Sequence, residues 1–274
     1  MKTRFAVSLA AAALLLGGTI AIAEDPWEGG IRPDDTVLTR NTLSPGLVQQ
    51  HTLDEAPSYV NDVDWMRVPT LSGHSYEARV SGSGVTFDWG DCASCPQFER
   101  VSITGAILTE DVGVVTDGAG PGSVWHANDR SVRWIAEADN TADLVRVRGD
   151  ELVPEHNFAV YTIRYWDTTY TVPRWNTSNG QATVLVITST VPKVQQARLH
   201  FYGGSGALLA SQDLLLQENV PSVLNLATIP ALAEQSGFAL VAHTSGYGGL
   251  TGKAVSLEPA TGFTFDTPIQ SIPQ

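Results

Sequence analysis

The chain has 274 residues, with 29 acidic against 16 basic side chains and a formal net charge of −13. That balance repels phosphate backbones and anionic headgroups and so excludes nucleic acid as a partner. At 43% hydrophobic and 16% charged, with 25 Gly and 15 Pro, the composition is that of a turn-rich globular protein and not of a disordered one, and the length allows two cores of ordinary size.

In chain order, Met1 to Ala23 reads as an export signal. Lys2 and Arg4 form a charged start, Val7 to Ile22 an apolar run, and Ala21-Ile22-Ala23 a small-residue cleavage site. Glu24-Asp25-Pro26 follows at once and nothing later is continuously apolar, so no membrane span is expected. The expected location is therefore the periplasm, the cell surface or the medium. Glu24 to Pro45, rich in Gly, Pro, Asp and Thr, reads as an extended leader.

From Gly46 the pattern changes to short apolar or alternating runs between turn residues. Tyr76–Val80, Val85–Trp89, Val101–Leu108, Val112–Thr116, Val132–Ala136, Leu144–Val147 and Ala159–Tyr165 read as strands. The second half continues with Thr183–Thr188, Ala197–Tyr202, Leu208–Leu216, Ser222–Leu226, Phe238–His243 and Gly252–Leu257. Gly203-Gly204-Ser205-Gly206 marks a hairpin turn, because glycine supplies the positive φ that tight turns need. One helical turn is expected over Ile229–Gln235, with Pro230 in its first turn and Gly237 as its stop. The spacing predicts an all-β protein of two β-sandwiches. Every tryptophan precedes Asn176 while the remainder is rich in Leu, Ala, Val and Gly, which sets a boundary near Thr168–Thr171. The domains are then 46–170 and 171–274.

Cys92 and Cys95 are the only cysteines. In an exported chain their spacing reads first as a small-loop disulfide. A thioredoxin-type redox pair is the sharper alternative, but it wants a helix N-terminus after a buried strand, and the flanking Val85–Trp89 and Phe98–Ile103 are strand-like. Zinc on the cysteines is not expected, since neither a second pair nor a nearby His cluster exists.

Between Arg40 and Tyr170 three segments carry a resemblance: Asn61-Asp62-Val63-Asp64-Trp65-Met66-Arg67-Val68, Gly73-His74-Ser75-Tyr76-Glu77-Ala78-Arg79-Val80 and Phe158-Ala159-Val160-Tyr161-Thr162-Ile163-Arg164. On these the region resembles the bacterial pre-peptidase C-terminal domain, a sandwich of jelly-roll type. The family's middle is represented here by Phe87-Asp88 and Asn128-Asp129, with the Cys92–Cys95 loop between them. Tyr170–Asn176 and Gly252–Pro268 carry a similarity to an uncharacterised C-terminal β-sandwich module of exported bacterial proteins, which implies an immunoglobulin- or fibronectin-like second domain. Neither resemblance brings a catalytic residue; both imply an accessory or binding role.

No cofactor motif stands out. The six histidines (51, 74, 126, 156, 200 and 243) are scattered and read as structural, and Ser205 lacks the elbow of a nucleophilic serine. Asn176-Thr177-Ser178 has the form of a glycosylation sequon and is read as incidental. Asp62 and Asp64, two apart on a strand, share a face, and Asp129 offers a further carboxylate. That set suits Ca²⁺, against the plainer reading of a solvated strand edge. Trp89, Trp125 and Trp175 lie beside polar residues and read as a sugar-stacking platform, whereas Trp65, Trp134 and Trp166 alternate with apolar neighbours and read as core. The expected function is a non-catalytic binding or adhesion module whose partner is a polysaccharide or another surface protein. The alternatives are a secreted hydrolase whose site forms only in the fold, and a structural component of a surface or matrix assembly.

Overall fold

The computed structural model describes residues 34–53, 63–81, 97–110, 130–140, 143–148 and 159–274. Across them the protein is all-β: the strands form four antiparallel sheets, and two short 3-10 turns are the only helical pieces among the described residues. The signal segment, the expected strands Val85–Trp89 and Val112–Thr116, and residues Asp62, Trp89, Cys92, Cys95, Trp125 and Asp129 lie outside the described residues.

The first half contributes β1 (Val48–Leu53), β2 (Val63–Arg67), β3 (Ser75–Ser81), β4 (Gln97–Val101), β5 (Ile107–Glu110), β6 (Arg130–Ile135), β7 (Leu144–Arg148) and β8 (Ala159–Asp167). They form one sheet in the order β1-β8-β3-β6 and a second in the order β2-β7-β4-β5. Strand periodicity decides which side chains lie between the sheets. Tyr76, Ala78 and Val80 of β3 point inward with Tyr161, Ile163 and Tyr165 of β8, meeting Met66, Phe98, Val145 and Val147 from the other sheet. Tyr76, Tyr165 and Trp134 stack, with centroids 5.4 Å (Tyr76–Tyr165) and 6.1 Å (Trp134–Tyr165) apart. Removing such rings from water stabilises by about 1.5–3 kcal/mol each.

The second half contributes β9 (Tyr170–Asn176), β10 (Ala182–Ser189), β11 (Gln195–Gly203), β12 (Leu208–Leu216), β13 (Ser222–Asn225), β14 (Ser236–His243), β15 (Leu250–Glu258), β16 (Phe263–Pro268) and β17 (Gln270–Ser271). Its sheets run β13-β10-β15-β16 and β12-β11-β14-β9-β17 around a separate core that includes Trp175, Leu185, Ile187, Leu199, Phe201 and Val241.

The expected strand Val101–Leu108 is broken. Ser102 N–H donates to Ala106 O and Gly105 N–H to Ser102 O, and Gly105 takes φ +81°, so a tight turn separates β4 from β5. The expected helical turn shrinks to Leu226–Thr228 and Pro230–Leu232, both 3-10. Gly237 lies not at a helix end but inside β14 at a bulge, where an added Cβ would stand 1.8 Å from Tyr202 O. The Gly203–Gly206 turn joins β11 to β12 as expected, with Gly206 at φ +82°. From Asp34 the expected leader is built into the first sandwich: Trp65 N–H donates to Asp34 O, Arg67 N–H to Asn41 O and Leu43 N–H to Arg67 O, so residues 34–43 run beside β2.

Candidate functional site

Two polar constellations are buried in this frame. The first lies between the sheets of the first sandwich, at its β1–β2 side. Both are edge strands among the described residues, and the segment from Asp34 to Leu43 lies against β2 there. His51 of β1 pairs in register with Tyr161 and stacks on its ring at 5.4 Å. Asp64 of β2 shares the inward face with Met66 and accepts a hydrogen bond from Tyr161 OH. Asp34 completes the group, and all three residues are 0% exposed. One ligand-type atom from each lies within 4.8 Å of the others. Asp34 Oδ2 is 3.3 Å from His51 Nδ1, inside ion-pair reach but outside hydrogen-bond geometry, and Asp34 Oδ1 has no hydrogen-bond partner. On the far side of the ring, His51 Nε2 is 3.2 Å from Gln49 Oε1 and 3.4 Å from Asn41 Nδ2. Two carboxylates and an imidazole are donors that a divalent metal accepts.

The second constellation joins the two sandwiches. Asp167 ends β8 and Tyr170 begins β9, and the residues between, Thr168 and Thr169, are 2% and 0% exposed. On the outer face of the β1-β8-β3-β6 sheet, Glu77 receives Arg133 Nε and Arg79 Nη2 at 3.1 Å each on Oε1. Tyr247 N–H, from the β14–β15 turn, donates to Oε2 at 2.7 Å. Burial pushes the Glu77 carboxyl up, but Arg133, Arg79 and the Tyr247 N–H outweigh it and hold it below the ordinary carboxylate range. Tyr247 stacks on Trp166 at 5.4 Å, and the Arg79 guanidinium lies 5.5 Å from the same Trp166 ring. His243 is fully buried: its Nε2 meets Thr168 O at 2.7 Å, while Ser245 N–H donates to its Nδ1 at 3.1 Å. Burial lowers its pKa to about 4, so the ring is neutral with the proton on Nε2.

The residues expected to act fall as follows. Trp175 is not a platform for a sugar. It is 0% exposed, packs edge-on against Phe201 at 6.1 Å, and donates its Nε1–H to Phe238 O. Its polar sequence neighbours misled, because a register shift in the β9–β14 pairing turns Trp175 inward along with Val172. Of the calcium set, Asp64 alone is described, and it stands in the interior beside an imidazole and not on a solvated edge. Trp65 and Trp134 are buried as expected, whereas Trp166 faces outward from β8 into the joint. Asp34 and His51 were not singled out from sequence. They lie 13 or more positions from Asp64, and only the packing of β1 and residues 34–43 against β2 brings them to it.

No family model and no curated protein matches the chain. Among solved structures it is similar to the full extracellular region of zebrafish Gpr126/Adgrg6, at 7% identity and a TM-score of 0.22, over 84% of this chain and 33% of that one. The chain thus spans about a third of that protein's length, and a likeness at this score carries no argument about function. Among the described residues no helix is long and apolar enough to cross a membrane.

Proposed function

We propose that the chain is an exported binding or adhesion module without catalysis of its own, in which two sandwiches are presented to a surface polymer at a fixed mutual angle. The observation that carries this reading is the joint. The groups there with chemical potential, Glu77, Arg133 and His243, are engaged by one another and by backbone groups of the opposite sandwich, so they serve rigidity. A linker of two buried threonines between two separate cores suits a module that presents a surface or bears load. The resemblance to the pre-peptidase C-terminal domain supports the same role. With Trp175 in the core, the aromatic contact to a polysaccharide falls to Trp89 and Trp125. Co-sedimentation of the purified chain with insoluble polysaccharides is the test: the expected result is retention on at least one, lost in the W89A/W125A double variant. Turnover in a broad screen of hydrolase substrates would overturn the reading in favour of an enzyme.

A further inference from the structure

We infer that the outer face of the β1-β8-β3-β6 sheet, around Arg79, Arg164, Trp166 and Tyr247, is a docking strip for a polysaccharide that carries carboxylates, a polyuronate. The inference rests on the polysaccharide-binding role proposed above and names the class of polymer and the surface that takes it. Its starting point is charge. Register pairing places Arg164 of β8 directly opposite Arg79 of β3, and the next outward pair is Trp166 opposite Glu77, which on its other side faces Arg133 of β6. Like charges directly opposite each other on a sheet repel. Glu77 is the only carboxylate among the described strand residues of this face, and Arg79 and Arg133 already share it. Three arginines against one glutamate leave the face at +2, on a chain whose net charge is −13. Arg164 is exposed and has neither an ion-pair nor a hydrogen-bond partner among the described residues. The Arg79 side chain, although it reaches Glu77, is still 31% exposed. A carboxylate lying between the two guanidiniums turns their repulsion into two charge-assisted contacts.

The neighbouring aromatic pair suits a sugar ring. Trp166 lies two residues from Arg164 on β8 and so points the same way, about 7 Å along the strand. Tyr247 stacks on it at 5.4 Å with the planes 18° apart, and 49% of Tyr247 remains exposed. Gly246 and Gly248 flank that tyrosine at φ +80° and +74°, and its N–H donates to Glu77 Oε2 at 2.7 Å, so the ring is held in place. A half-exposed aromatic beside an unpaired guanidinium meets both parts of an acidic sugar: the ring takes the apolar C–H face of the pyranose, and the guanidinium takes the carboxylate. Beyond Arg164 the same face continues through Thr162 and the exposed Gln50, polar groups suited to sugar hydroxyls. The cationic strip is narrow and the chain as a whole is acidic. A thin, flexible polymer reaches such a strip, whereas a broad anionic bilayer would also meet the repelling remainder of the molecule. Because the arginines come from one sandwich and Tyr247 from the other, the strip is complete only while the joint holds their angle.

The test uses the full chain and soluble polygalacturonate, with dextran of similar length as the neutral control, in buffer containing a chelator so that no cation bridges acid to acid. Titration calorimetry should show saturable binding, about tenfold or more tighter for polygalacturonate than for dextran, and weakened as salt is raised. R164E should weaken binding to polygalacturonate by about tenfold or more, while its unfolding midpoint stays within about 2 °C of wild type because Arg164 has no partner to lose. Y247A keeps the backbone N–H on Glu77 but loses the ring, and should weaken binding by about threefold or more. The inference is overturned if dextran binds as tightly as polygalacturonate, if R164E or Y247A binds like wild type, or if phosphatidylglycerol vesicles bind as tightly as the polymer. Retention on an insoluble neutral polysaccharide through Trp89 and Trp125, with polygalacturonate unbound, overturns this inference and leaves the binding-module reading standing. Binding to no polysaccharide, neutral or acidic, overturns both.

Discussion

His243 makes the stability of this protein depend on pH in a definite sense. Inside the joint it is neutral, donating from Nε2 to Thr168 O and accepting from Ser245 N–H, and burial lowers its pKa to about 4. In the unfolded chain the same ring takes its proton near pH 6.5. A depressed folded pKa means that the unfolded state binds more protons below pH 6.5, so stability is full above that value and falls as the pH drops toward 4. The loss at pH 5 relative to pH 7.5 is about 2 kcal/mol. His200, whose pKa burial also lowers, acts in the same direction. Glu77 enters only further down: its folded pKa is depressed as well, so its contribution holds above the carboxylate range and is lost on acidification below it. Urea unfolding at pH 7.5, 6 and 5 checks the prediction. The midpoint should fall through that window in the wild type and fall less steeply in H243Q; equal slopes in the two proteins would falsify the assignment.

At the scale of elements, the β14–β15 turn is the piece the joint can least do without. Gly246 takes φ +80° there, and a Cβ on it would stand 2.8 Å from Arg133 Cζ and 3.0 Å from Glu77 Oε2. Both the backbone and the space demand glycine. G246A should therefore cost about 1–3 kcal/mol. G204A, with nothing within 4 Å of its Cβ, should stay within about 0.5 kcal/mol of wild type. Denaturant midpoints of the two variants compare them directly. The strands themselves were legible in the sequence, because alternation along β10 and β11 is the physical cause of their burial. What alternation alone misses is a change of register or of direction. The turn at Gly105 splits an apolar run, and the β9–β14 register shift carries Trp175 inward among polar sequence neighbours. Of the buried Asp34–His51–Asp64 group only Asp64 was legible, since Asp34 and His51 reach it through tertiary packing that no local pattern encodes.

At the scale of the whole molecule, separate cores and a shared joint predict halves that are distinct in packing but coupled in stability. No core residue of one sandwich belongs to the core of the other among the described residues. The joint nevertheless places a carboxylate and a tryptophan of the first half against the second, and a histidine of the second against the first. Expressed alone, residues 34–168 lose the Tyr247 N–H from Glu77 and the Tyr247 ring from Trp166, and residues 171–274 lose the Thr168 carbonyl from His243. A hydrogen bond to a charged group is worth about 1.5–3 kcal/mol and an aromatic pair about 0.5–1.5 kcal/mol. The first half alone should therefore be less stable than in the full chain by about 2–4 kcal/mol, with an unfolding midpoint about 10 °C or more lower. The full chain should unfold in one calorimetric transition. Because Thr168 and Thr169 are almost wholly buried and hydrogen-bonded to Ser75, limited proteolysis of the native protein should leave the segment from Thr168 to Pro173 uncut. Two transitions at the midpoints of the isolated halves, together with early cleavage at Thr168–Pro173, would show the sandwiches to be independent beads, and the fixed angle on which the proposed binding role depends would be lost.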